Sequence, residues 1–372
     1  MTEYILLIAA FFCSAALGFF FIPLILNYCK EKNLYDIPNS RKMHKNATPR
    51  LGGISFLPSM FAAFIVTMFA FDDYTGYNQV TFSLWSLYFF ISLMLVYGVG
   101  LVDDLIGLGA LAKFSAQIIA AILMPISGLY LNNLYGFLGI HEIPYFIGAP
   151  LTVFIIVFIT NSINLIDGID GLAAGVSMIA LGGFLGCFVN EGLWLYGILI
   201  AGLMGVLMPF LYFNLLGDAE KNRKLFMGDS GSLTLGFILG FLAVKFSMDN
   251  PVVMFWRPDC LLLSYTFVIV PTFDVVRVSA QRFFHHTPVF KADKNHFHHK
   301  LMRVGCTQHQ ALAIILLLAL FYIGMNIALD GSISSTWIVG IDIVVWVAFH
   351  QVLNVFIRKR GLTVFQKNVV DE

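Results

Sequence analysis

Eleven apolar runs, each close to the roughly 20 residues that a helix needs to cross a hydrocarbon core, divide the chain. They fall at approximately 4–28, 51–71, 83–102, 113–131, 148–166, 172–189, 193–214, 231–247, 259–276, 310–328 and 336–357. In lipid every backbone polar group must be satisfied within the segment, which leaves helices or closed barrels. Runs of this length select helices. Of the residues, 59% are hydrophobic and 12% charged, about half the charge of a soluble domain. We therefore expect an all-α integral membrane protein with about eleven transmembrane helices, forming one domain over residues 1–372. The first run has no basic residue before it and exceeds a signal h-region, so it reads as a transmembrane helix, not a cleaved signal.

Placement of charge sets the orientation. With the N-terminus outside, all of the 22 Lys and Arg residues except Lys245 and Arg257 fall on inner segments, a strong positive-inside bias. The C-terminus and the polar helix ends are then cytoplasmic. The net charge is zero, so nothing singles out nucleic acid as a partner. The five cysteines are scattered without a CxxC pair, which argues against a disulfide framework or a thiolate metal site.

Acidic groups near bilayer depth are costly and call for a reason. Asp103 and Asp104 follow the third run in "YGVGLVDDLIGLGALAKF", with Lys113 beyond them. Adjacent helix positions point about 100° apart, so the two acids should have different roles. Asn161, Asn164, Asp167 and Asp170 recur every three residues at the end of the fifth run. Their clustered oxygens suit a hard cation such as Mg²⁺, while caps and interhelical hydrogen bonds are the bland alternative. Asp229 opens the eighth run in "FMGDSGSL", and Asp274 ends the ninth. The GDSG tetrapeptide resembles a serine-protease signature, but here it begins a membrane helix. In "KNHFHHKLMRVG", a helix would put His296, His299, Lys300 and Arg303 on one face. Imidazoles beside cations suit phosphate better than a bare metal. In the basic loop "RKMHKNATPRLGG", Arg50 beside Gly52 and Gly53 is the better ligand candidate. Asp342, near the outer end of the last run, should pair with a neighbour.

Taken in order, "RKMHKNATPRLGG", "LVDDLIGLGALAKF", "NSINLIDGIDGLAAG", "FMGDSGSL" and "NHFHHKLMRVG" resemble the signatures of the polyprenyl-phosphate N-acetylhexosamine-1-phosphate transferases, the MraY/WecA superfamily. The likeness spans roughly residues 30–305 and leaves the last two helices as generic membrane segments. It implies a Mg²⁺-dependent enzyme, with Mn²⁺ as substitute, that moves a sugar-1-phosphate from a UDP-sugar to a polyprenyl phosphate. It implies metal ligation by Asp229 and Asn164 and catalysis by Asp103 and Asp104. Arg50, Lys113, Asn161, Asp167, Asp170, His296, His298, His299 and Arg303 would bind substrate. The separated histidines, where the muramoyl-pentapeptide branch has three in a row, resemble the WecA-like branch. Its reaction takes UDP-GlcNAc and undecaprenyl phosphate in a bacterial inner membrane and initiates cell-surface polysaccharide such as O-antigen. Another UDP-N-acetyl amino sugar is the alternative donor, and a second copy of the chain is an open partner. An ion-coupled transporter and a zinc metallohydrolase are the rival classes.

Overall fold

The computed structural model describes residues 2–35, 48–75, 84–250, 254–288 and 294–366. Thirteen helices run through them: α1 (Thr2–Lys32), α2 (Phe56–Thr75), α3 (Leu84–Ile106), α4 (Ala110–Ile126), α5 (Tyr145–Ile166), α6 (Leu172–Asn190), α7 (Trp194–Leu215), α8 (Gly228–Ser247), α9 (Cys260–Phe267), α10 (Ile269–Phe284), α11 (Phe297–Val304), α12 (Gln308–Leu329) and α13 (Ser335–Lys359). Among the described residues no β-strand forms, only two isolated bridges. Arg41 and Lys42 lie outside the described residues.

Each of the eleven apolar runs is largely helical. Among the described residues nine helices are long and apolar enough to cross a membrane, ten if a bent pair is counted as one span. The fourth run yields α4, whose 17 residues reach only about 25 Å at 1.5 Å per residue. Gly128, at φ +89°, turns the chain just past its end. The ninth run breaks at Val268 into α9 and α10, which meet at 68°. Pro271 stands in the first turn of α10 and has no N–H to return to Phe267, so a continuous helix would lose a bond there.

α8 is the hub. Every residue from Ser230 to Ser247 is buried, and α3 and α5 pack along it. A helix apolar all round belongs in the interior of a bundle. Its one lysine, Lys245, is accommodated by cation–π contact, with Nζ 3.8 Å from the centroid of the Trp85 ring. At its other end α8 begins at Gly228, where the acids Asp103, Asp104 and Asp229 converge. The chain entering α2 pairs with the segment entering α8 (Gly52 N to Phe226 O 2.9 Å, Gly53 N to Met227 O 2.8 Å). That pairing closes one side of the convergence.

Candidate active site

The first amides of α8 have no partner within the helix. Asp104, from the end of α3, supplies one. Its Oδ1 accepts from Asp229 N at 2.8 Å, and its Oδ2 accepts from Ser230 N at 2.9 Å and Ser230 Oγ at 2.6 Å. An anion at a helix N-terminus is favoured by the aligned peptide dipoles as well. Gly228 permits this approach: its φ is +74°, and a Cβ there would meet the Asp104 carboxylate at 2.5 Å. Both oxygens of Asp104 thus bond the first residues of α8. Arg50 Nε donates to Asp104 O at 3.1 Å, bringing the entry to α2 against the same helix end.

Asp103 points elsewhere, as the 100° offset requires. Its Oδ1 accepts from Leu108 N at 2.7 Å, and its Oδ2 lies 3.2 Å from Lys113 Nζ. Lys113, in the first turn of α4, also reaches Asp229 Oδ2 at 2.6 Å. One ammonium therefore bridges acids from α3 and α8. Asn164 Nδ2, from the end of α5, donates to Asp229 Oδ1 at 3.1 Å and to Ser232 Oγ at 2.8 Å. Asp103, Asp104 and Asp229 each offer a carboxylate oxygen within 4.8 Å of the others. Asp103 and Asp229, which share the Lys113 ammonium, could hold a hard cation, and the Asn164 amide adjoins Asp229. An all-oxygen set of this kind fits Mg²⁺ or Mn²⁺.

Asn161 does not join this cluster. Its Nδ2 donates to Gln117 Oε1 at 2.6 Å and Val157 O at 2.8 Å, tying α5 to α4. Asp167 stands exposed in the turn after α5. Asp170 is paired with Lys224 at 2.5 Å.

α11 brings the histidines to this turn. His298 is buried against Gly168, where a Cβ would lie 2.2 Å from its Nε2. Neither of its ring nitrogens has a hydrogen-bond partner among the described residues. Burial, then the imidazoles of His299 and His296, hold His298 well below the ordinary histidine range; burial, His296, Arg303 and Lys294 lower His299 to about 4. Both are neutral at pH 7, each with one donor and one acceptor. His296 stands just before α11, and its Nδ1 lies 2.9 Å from Asp274 Oδ2.

The expected cationic face is not assembled. Lys300 is buried under α13, its Nζ donating to His350 O at 3.3 Å. Arg303 faces the C-terminal tail, its Nη1 donating to Val364 O at 2.9 Å. The amphipathic pattern of the segment was read correctly, but its partner, α13, is 50 residues away and invisible to periodicity. The partners of three further residues become visible only in the fold. Asp274 accepts from Phe297 N at 3.1 Å and so starts α11. Gln117 lies one turn beyond Lys113 on α4, a spacing that could have indicated it. Lys224 was counted only as a positive-inside charge.

A polytopic helical membrane protein with carboxylates, an amide, a lysine and neutral imidazoles gathered at one end of its bundle is the class that fold and site define. Residues 85–247 match the family model described as glycosyl transferase family 4. The chain is 30% identical over 326 residues to the undecaprenyl-phosphate alpha-N-acetylglucosaminyl 1-phosphate transferase of Salmonella typhi, covering 84% of this chain and 81% of that one. It is 28% identical over 355 residues to the probable undecaprenyl-phosphate N-acetylglucosaminyl 1-phosphate transferase of Bacillus subtilis (93% and 91%), and 28% over 307 residues to the Escherichia coli K12 enzyme (82% and 78%). The chain belongs to this family, the polyprenyl-phosphate N-acetylhexosamine-1-phosphate transferases.

Proposed function

We propose that the protein transfers GlcNAc-1-phosphate from UDP-GlcNAc to undecaprenyl phosphate at the cytoplasmic face of a bacterial inner membrane. The observation that carries this reading is Lys113 held between Asp103 and Asp229, with Asn164 against the same carboxylate. Phosphoryl transfer needs alignment and charge neutralisation more than covalent chemistry, and these groups supply both. A non-bridging oxygen of the lipid phosphate forms a bond to the donor's β-phosphorus. The bond from that phosphorus to the bridging oxygen breaks, and UMP leaves with that oxygen.

Lys113 neutralises phosphate charge, while Asp103 and Asp104 hold Lys113 and Asp229 in place. Asp229 and Asp103, with Asn164, would hold a Mg²⁺ ion, which when bound stabilises negative charge on the departing phosphate. The lipid phosphate is already ionised near neutral pH, so Asp103 serves as a charge partner and not as an obligatory base. His298, a neutral donor beside Gly168, and the adjacent His299 bind the donor in this reading. An ion-coupled transporter would keep its polar groups near the bilayer midplane; here they lie at helix ends.

Radiolabelled UMP release in detergent, run over several UDP-sugars with undecaprenyl phosphate, tests the proposal. UDP-GlcNAc should be the best donor, chelation should abolish turnover, and Asp229→Ala should lower kcat by about 100-fold or more. Full activity in Asp229→Ala, or no UMP release from any UDP-sugar, would overturn it.

A further inference from the structure

The helix that carries the histidines, α11, has eight residues, too few to persist unaided when isolated helices below about 12 residues are marginal. What holds it therefore decides where His298 stands. Asp274 caps its start, and Arg277 Nη2 braces that cap by donating to Asp274 Oδ1 at 2.6 Å and Asn295 O at 2.7 Å. α13 takes its apolar face, with Phe297 packed on Trp346 and Phe349.

The third hold is the tail that follows α13. Asn295, 1% exposed and next to His296, makes a reciprocal pair with it: Asn295 Nδ2 donates to Gln366 O at 3.0 Å, and Gln366 N donates to Asn295 Oδ1 at 3.0 Å. Arg303, in the last turn of α11, donates through Nη1 to Thr363 O at 3.2 Å and Val364 O at 2.9 Å, and through Nη2 to Lys294 O at 3.2 Å. Phe365 stacks on His285, just past α10, with centroids 4.1 Å apart and planes at 9°. The tail thus ties the end of α10, the entry to α11 and the last turn of α11 into one unit. His298 has no hydrogen bond of its own to hold it against Gly168, so its position depends on this seating.

We infer that the segment Thr363–Gln366 is a strap that positions His296, His298 and His299 for donor binding, and that Asn295 and Arg303 are positioning residues that receive it. The effect on donor binding rests on the function proposed above; the seating of α11 does not.

The experiment compares the full chain with one ending after Leu362, and with Gln366→Pro, which removes one of the paired N–H groups. Gln366→Ala, which keeps both backbone bonds, is the control. In the truncated chain and in Gln366→Pro, amide exchange across Lys300–Gly305 should accelerate about tenfold or more, as expected for loss of a local anchor. KM for UDP-GlcNAc should rise by a similar factor with kcat held within about twofold, the signature of lost binding. Gln366→Ala should match the full chain in both. Unchanged exchange in α11 overturns the strap, as does a fall in kcat with KM unaltered. If the truncated chain fails to fold, Gln366→Pro decides alone. If the full chain does not turn over UDP-GlcNAc, the function reading fails while the exchange comparison still decides the strap.

Discussion

Single residues at this site do work that their type alone does not announce. Asp103 and Asp104 are neighbours in sequence that take different partners: one faces Lys113, the other seats the first amides of α8. The sequence justified expecting two roles, because consecutive helical side chains diverge. It could not say which acid met which partner, since Asp229 lies 125 residues from Asp104. Gly168 is a sharper case. Nothing in the local sequence marks it, whereas in the fold it leaves the space that the His298 ring fills. A methyl group there must displace the imidazole. Gly168→Ala should therefore raise KM for the donor by roughly tenfold, and in a double-mutant cycle it should add little once His298 is already alanine. Steady-state kinetics on the two single variants and the double variant checks this. Additive losses would mean that Gly168 acts through the backbone of the Asp167–Asp170 turn and not through the ring.

At the level of helices, hydrophobic periodicity located every apolar element, and the errors have physical causes. α4 is short because glycines bound it on both sides. The ninth run bends because a proline sits one turn into its second half. Neither breaks the apolar pattern that was being counted. α11 was legible as a helix but not as one capped by Asp274, since a cap contributed from another helix leaves no local signature. Asp342 was expected to pair with a neighbour, and it does: Oδ2 accepts from Tyr265 OH at 3.1 Å and Asn326 Nδ2 at 3.0 Å, joining α9, α12 and α13. Its Oδ1 and the Asn326 Oδ1 have no partner among the described residues. An amide at this position would keep one acceptor and offer a donor toward the second lone oxygen. Asp342→Asn should thus unfold within a few degrees of the parent in detergent. Asp342→Leu leaves a buried hydroxyl and a buried amide without their acceptor and should cost about 2 kcal/mol or more. Thermal unfolding of the pair checks the contrast, and equal loss in both would show that the charge itself is required.

For the whole molecule, the arrangement around α8 fixes which polar ends share a face. Asp104 from α3, Asn164 from α5 and Lys113 from α4 all meet its N-terminal end. Its other end is closed by a different set: Asn132 Nδ2 donates to Asp249 O at 2.6 Å, and Arg257 is paired with Glu191 at 3.1 Å. The site and the bridge between Asn133 and Glu142 therefore lie at opposite ends of one buried helix. Lys221, Arg223 and Lys224 precede the site end of α8 while Lys245 and Arg257 are at the far end, the bias on which the proposed cytoplasmic site rests. Donor UDP-sugars are soluble anions, so the site end must face the compartment that supplies them. Glu142 and Lys221 are exposed near these two ends. In intact cells, Glu142→Cys should react with a membrane-impermeant maleimide, while Lys221→Cys should react only after permeabilisation. The parent chain sets the background, since its cysteines are buried or half-buried. The opposite labelling pattern would invert the orientation and place the carboxylates where a cytosolic nucleotide could not reach them.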